Sequence, residues 1–328
     1  ILAVFSLFCI YVTFFATWLD AIRLSSFVGC IVFIGFLIYP AKKGMQRANH
    51  IPWYDLVLML VGSGSFFFHT VTAMTIIQQG NKFELHQIII GAIGILCLLE
   101  LCRRCVGIPI IIVAGVFIVY AMGWGLTNPD MLRRLEGLVG KLFYTTTSGI
   151  LSTPINTCSK FIAIFIIFGA FLERTGIADF FIQISNSVVG RFSGGPAKVA
   201  VVASALEGMV SGSSVANTVG SGSVTIPLMK KTGYKPEFAG AVEAAASTGG
   251  QIMPPIMGAA AFLMAEITGL PYATIVIAAI LPAILYFAGI FLMVHLEAKK
   301  NGLHGIDRTL LPRFWPLFVR KGYLLLPL

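Results

Sequence analysis

The strongest constraint on this chain is its succession of long apolar runs, near Ile1–Thr17, Ser25–Tyr39, Tyr54–Ile77, Gln87–Leu101, Ile108–Leu126, Asn156–Leu172, Val199–Met229, Phe238–Ala265 and Ala273–His295. An α-helix rises about 1.5 Å per residue, so roughly 20 residues cross the ~30 Å hydrocarbon core of a bilayer. Most of the runs therefore read as single spans. Of the 328 residues 57% are apolar and 11% charged, against about 25% charged in a soluble domain. That balance excludes a water-soluble enzyme and predicts an all-α polytopic membrane protein in the lipid bilayer.

The charge pattern sets an expected orientation. Lys+Arg number 23 and Asp+Glu 14, a net +9. With no basic patch interleaved with aromatics, this excess reads as basic cytoplasmic loops, and no nucleic-acid partner is expected. Lys42, Lys43 and Arg47 follow the second run and Arg103 and Arg104 the fourth, whereas the intervening loops hold Asp20 with Arg23 and Lys82 with Glu84. Counting onward puts Pro196–Lys198, the Lys230–Lys235 loop and the tail from Lys299 to Lys321 in the cytoplasm, and each is basic. The Arg133, Arg134, Lys141 stretch falls outside by the same count. Its apolar periodicity reads as a helix lying along the interface, as do Asp179–Val189 and His304–Tyr323.

Ile1 begins inside an apolar run with no A-x-A-like cleavage site, so the run reads as a truncated span. Leu324–Leu328 reads as the start of another apolar segment. The chain is expected to be part of a longer protein. Its six cysteines lack the spacing of a disulfide scaffold, and Cys102-Arg103-Arg104-Cys105 has no second pair or nearby His to make a metal or redox site. His69, inside a span, is expected to pack in the core.

Two segments depart from simple spans. In Val199–Met229 the middle, Ser211 to Ser223, is small and polar, while Lys198 and Lys230-Lys231 anchor both ends on one side. Such a pattern predicts a re-entrant helical hairpin, 198–231, with its tip inside the membrane. Phe238–Ala265 is long enough to span, yet its centre reads Ser247-Thr248-Gly249-Gly250-Gln251-Ile252-Met253-Pro254-Pro255. Proline lacks the N–H that bonds the carbonyl four residues back. Pro254 and Pro255 are thus expected to break a helix over 237–266 and to free the carbonyls of Gly250 and Gln251. With hydroxyls from Ser213 or Thr248, those oxygens would form a hard-oxygen cage, a candidate Na⁺ site at Ser213, Thr248 and Gly250. Glu207 and Glu243 each precede a motif serine, Ser211 and Ser247, by four residues and so share a helical face with it. Intramembrane acids are candidate proton or cation carriers.

The runs Gly194–Leu206, Ser211–Asn217, Ile226–Lys230 and Ala244–Pro255 resemble the large membrane subunit of tripartite ATP-independent periplasmic (TRAP) transporters, in the fused-permease form that works with TAXI-type binding proteins. The resemblance is close over roughly 161–302. It implies an elevator-type, ion-coupled importer of small carboxylates in the bacterial inner membrane, without a cofactor, driven by Na⁺ or H⁺ and fed by an extracytoplasmic TAXI-type substrate-binding protein. It also implies that Ser211, Ser213, Ser214 and Asn217 line an ion and substrate site to which Thr248, Gly249, Gly250 and Gln251 add oxygens. On this comparison residues 1–126 are N-terminal membrane helices, a small-subunit-like scaffold followed near 78–107 by the first large-subunit helices. Residues 127–155 form an interfacial amphipathic connector and 156–295 the first half of the transport unit. Residues 296–328 are a cytoplasmic arm leading to the remainder of the permease. Two departures stand out: no second, inverted hairpin and broken helix is present, so one half of an inverted repeat is expected, and Glu207 occupies a position the family fills with an apolar residue.

The competing readings are weaker. Gly208-Met209-Val210-Ser211-Gly212 is not the G-x-S-x-G of a serine hydrolase, and no His falls at a comparable depth, so an intramembrane protease lacks its base. Val219-Gly220-Ser221-Gly222-Ser223 lacks the Lys of a nucleotide-binding loop. A scaffold without its own site suits the part up to about Ile77, but gives a broken helix no purpose.

Overall fold

The computed structural model describes residues 1–41, 51–80, 82–123, 131–307, 309 and 311–325. Lys42, Lys43 and Arg47, the stretch 124–130 and the last three residues lie outside the described residues. Every regular element described is helical. Among the described residues five runs are long and apolar enough to cross a membrane, Asp20–Ile38, Trp53–Gln79, Leu85–Cys105, Thr153–Leu172 and Tyr272–Lys300. The chain is an all-α polytopic membrane protein, and its described residues form two compact units, Ile1–Ala163 and Ile164–Leu328.

The first unit contains α1 (Leu2–Phe14), α2 (Asp20–Ile38), α3 (Trp53–Gln79), α4 (Leu85–Cys105), α5 (Ile108–Gly123), α6 (Met131–Val139) and α7 (Thr153–Thr157). Along α2 the residues Leu24, Val28, Val32 and Phe36 recur every fourth position, which places them on one stripe, and all are buried. They join Met59 and Phe66 of α3, Cys97 and Leu101 of α4, and Val139, Phe143, Tyr144 and Leu151 in a single core. Phe143 and Leu151 are fully enclosed, because the turn after α6 aims its aromatic pair between α3 and α4 rather than along a lipid surface. His69 packs edge-on against Tyr144 with ring centroids 5.0 Å apart, as its position inside a span implies.

At the end of α4 the charges cluster. Arg104 pairs with Asp55 at 2.7 Å and with Glu100 at 2.9 Å, its guanidinium 4.9 Å from the Phe36 ring centre. Arg104, one of the two arginines read as basic loop charges, is therefore buried in an ion-pair cluster. Cys102 and Cys105 are free thiols.

The second unit contains α8 (Ala163–Arg174), α9 (Ile177–Val189), α10 (Gly195–Ser211), α11 (Ser214–Gly220), α12 (Gly222–Lys231), α13 (Pro236–Gly249), α14 (Ala259–Thr268), α15 (Tyr272–Lys300) and α16 (Phe314–Lys321). The small face of α10 (Ala197, Ala200, Val201), Met229 of α12, Ala239, Val242 and Ala246 of α13, and Val294 and Ala298 of α15 share one core. α9 turns Ile177, Phe180 and Phe181 inward onto Val210 and Leu324.

Candidate functional site

The hairpin forms as the small-residue pattern dictates, beginning at Gly195, three residues before the expected start, because Pro196 supplies a preset φ in the first turn of α10. α10 has 17 residues, a length of about 25 Å, short of the ~30 Å core. It stops at Gly212, whose φ of 58° a side chain would resist. Ser213 then caps α11 by accepting from the Ala216 N–H at 3.3 Å. α11 and α12 run on through Ser221 as one arm, and Met229 near its end shares a core with Ala197 near the start of α10. Both ends of the hairpin therefore lie together. In a background without native cysteines, Lys231→Cys is expected to react with a membrane-impermeant thiol reagent from the cytoplasmic side only. Labelling from the opposite side would overturn the re-entrant reading.

α13 ends at Gly249 and passes through a short 3₁₀ turn, Gly250–Ile252, before the irregular stretch that leads to α14. The break sits where the prolines put it, but the freed carbonyls do not stay free. Gly250 C=O accepts the Met253 N–H at 3.2 Å and Gln251 C=O the Gly258 N–H at 2.6 Å. The chain beyond the prolines folds back and supplies donors that the i to i−4 rule cannot foresee, so the expected oxygen cage is partly saturated by its own backbone. Each carbonyl retains its second lone pair. Tyr272 at the start of α15 ties the break down, its hydroxyl facing Pro255 C=O at 2.9 Å and Ile256 C=O at 2.6 Å.

Hairpin and break meet in three places. Near the tip, Gln251 Nε2 donates to Ser214 Oγ at 2.8 Å. Lower down, Gly208 and Gly250 cross so closely that a methyl on Gly250 would stand 2.8 Å from Gly208 Cα. Deepest is Glu243, wholly buried on α13. Its Oε1 accepts from Ser204 at 2.8 Å, Ser221 at 2.6 Å and Ser247 at 3.3 Å, and its Oε2 from Thr225 at 2.5 Å. One carboxylate thus gathers hydroxyls from both arms of the hairpin. Asn217 belongs to the same interior, donating to Ser204 C=O at 2.8 Å with its Oδ1 3.2 Å from Ser221 Oγ.

The remaining residues expected at the site separate. Glu207, Ser211 and Ser213 line a cavity of about 250 Å³ with Gly169, Ala170 and Ile177 of the neighbouring helices. Glu207 is nearly buried and lies against Gly220, where a methyl would come 2.5 Å from its Oε1. Thr248 is exposed and returns its hydroxyl to Ala244 C=O at 2.7 Å. Gly249 faces away from the hairpin, against the Tyr286 ring of α15. Ser204, Ser221 and Thr225 were not foreseen at the site. The signal for two of them is a period of four, Asn217, Ser221 and Thr225 forming one stripe opposite the Glu243/Ser247 pair.

A helical hairpin whose tip and flank are fastened to an interrupted helix, in a chain whose described residues hold five candidate spans, defines a multi-pass membrane protein built on broken helices. The model of the family described as tripartite ATP-independent periplasmic transporter, DctM component, matches residues 93–328, and the chain belongs to that family, one of transporter permeases and not of enzymes. It is 30% identical over 197 residues to the C4-dicarboxylate TRAP transporter large permease protein DctM of Pseudomonas aeruginosa, which covers 60% of this chain and 43% of that protein. It is 27% identical over 194 residues to the sialic acid TRAP transporter permease protein SiaT of Haemophilus influenzae, covering 57% and 30% respectively. An uncharacterized protein of Salmonella typhimurium, YgiK, is 27% identical over 216 residues, 64% of this chain and 49% of its own length. The chain thus spans less than half the length of each of these relatives.

Proposed function

We propose that this chain is part of the permease of an ion-coupled secondary transporter that imports a small carboxylate across the bacterial inner membrane. A TAXI-type extracytoplasmic binding protein delivers the substrate, and the remainder of the permease completes the path. The observation that carries this reading is the fastening of hairpin to broken helix, Gln251 on Ser214 and Glu243 on Ser204, Ser221 and Thr225. Irregular backbone at membrane depth is kept where it lines a cavity, and helix ends there are aimed at ions and anionic groups. The two relatives named for C4-dicarboxylate and for sialic acid support a carboxylate as cargo. Fastened in this way, the second unit suits an elevator mechanism, in which one body carries the site.

Na⁺ is the proposed coupling ion. Ser211, Ser213 and Ser214 carry hydroxyls at the tip, and Gly250 and Gln251 each keep a second carbonyl lone pair in the break that the Gln251 side chain fastens to Ser214, oxygens of the hard kind that Na⁺ favours. Glu207, on the cavity wall, is proposed as a secondary proton carrier that tunes the pH response. Proteoliposomes holding the full-length permease with its binding protein, under imposed Na⁺ or pH gradients, test both assignments. Glu207→Gln is expected to keep Na⁺-driven uptake and to flatten its pH profile between about pH 5 and 8, since it removes a titrating carboxyl without removing volume. Loss of Na⁺-driven uptake in that variant, or a wild type driven by ΔpH alone, would reverse the roles of the two ions.

A further inference from the structure

At the base of the hairpin, away from its tip, Lys198 is 3% exposed. Among the described residues no carboxylate pairs with it. Its Nζ lies 2.9 Å from His295 Nδ1 on α15, 5.2 Å from the Phe291 ring centre and 5.7 Å from that of Phe192. An ammonium donates and cannot accept, so Nδ1 is the acceptor of this bond and the imidazole proton sits on Nε2, directed away from the lysine. The lysine therefore presents an ammonium, held by the imidazole, with no anion beside it. A cavity of about 380 Å³, lined by Phe192, Lys198, Ala288, Phe291, Leu292 and His295, opens onto both.

A buried ammonium without an anion is costly, and ring faces and an imidazole return only part of that cost. The remainder of the lining is apolar, which disfavours a free hydrated ion and favours an amphiphile. Depth points the same way. His295 precedes Lys299, in the last turn of α15, by one turn, about 6 Å, the level at which headgroups meet acyl chains. Outward of the cavity α15 offers Leu285, Leu292 and Leu296, each more than half exposed, as a track for a hydrocarbon chain. Lys299 and Lys300 stand at the helix end, and basic pockets between helices on the cytoplasmic side bind anionic headgroups.

We propose that Lys198, held in position by His295, forms a binding site for the phosphodiester of an anionic phospholipid, with an acyl chain along α15. The lipid would clamp the start of α10 to the end of α15 and so fix the base about which the hairpin is anchored.

Native mass spectrometry of the full-length permease, equilibrated with equimolar phosphatidylglycerol and phosphatidylcholine, tests this. Wild type is expected to retain phosphatidylglycerol preferentially, and Lys198→Met to retain it at least about tenfold more weakly, the loss of one charge-assisted hydrogen bond. Lys198→Arg should behave as wild type and His295→Phe should fall between, so the series remains decisive if the methionine variant does not fold. Equal retention of the two lipids by wild type, or wild-type retention by both Lys198→Met and His295→Phe, would overturn the proposal. Release of the phosphatidylglycerol by millimolar inorganic phosphate would also overturn it, by showing a site for a small soluble anion.

Discussion

Glu243→Ala is expected to be the most destabilising single substitution in the second unit, lowering stability by about 2–4 kcal/mol. Truncation removes an acceptor shared by Ser204, Ser221, Thr225 and Ser247 and leaves a void in a fully buried position. The cost is bounded, because Ser221 and Thr225 have alternative acceptors in Asn217 C=O at 2.8 Å and Ser221 C=O at 3.0 Å. Glu243→Gln should cost about 1 kcal/mol, since its amide oxygen still serves Ser204, Ser221 and Ser247, while Thr225 turns its hydroxyl to accept from the new NH₂. Thermal unfolding of the purified permease in detergent would show midpoints in the order wild type, Gln, Ala. An alanine variant that melts with wild type would mean the hydroxyls are held by their own helices and not by Glu243.

The second large effect is expected at the glycine crossing. Gly250→Ala places a methyl 2.8 Å from Gly208 Cα, a backbone atom that cannot swing aside, so the break must move off α10. Overpacking of this kind costs about 1–3 kcal/mol, here concentrated beside the Gln251–Ser214 contact at the tip. Uptake in proteoliposomes is expected to fall at least tenfold with membrane insertion unchanged. Gly240→Ala, in the same helix α13 but with no atom within 4 Å of the added methyl, should be neutral or slightly stabilising. Equal losses at both positions would point to backbone entropy rather than to the crossing.

How much of this was legible in the sequence varies with the range of the interaction responsible. The spans follow from hydropathy alone, and the expected run Tyr54–Ile77 lies inside α3 because nothing distant is needed to make an apolar helix. The hairpin and the break were legible for the same reason, since glycine and proline act on their immediate neighbours. Where each polar side chain points was not. Ser213 and Asn217 differ little in the motif, yet one caps a helix at an exposed tip and the other is wholly buried, because only Asn217 continues into the Ser221 and Thr225 stripe. The saturation of the Gly250 and Gln251 carbonyls, and the Lys198–His295 pair across 97 positions, depend on chain returns that local spacing does not encode.

The second arm of the hairpin has a further consequence for how a membrane perceives it. Asn217, Ser221 and Thr225 are fully hidden, while Val215 and Val219 stand 72% and 69% exposed. An amphipathic helix on a water-soluble protein shows its polar side and conceals its oil. This arm is inside out. Its outer face sets Val215 and Val219 beside the exposed Ser213 and Ser223, while the polar groups of its middle, Asn217, Ser221 and Thr225, all turn inward. The polar letters that mark the segment as unusual are thus what lets it stay.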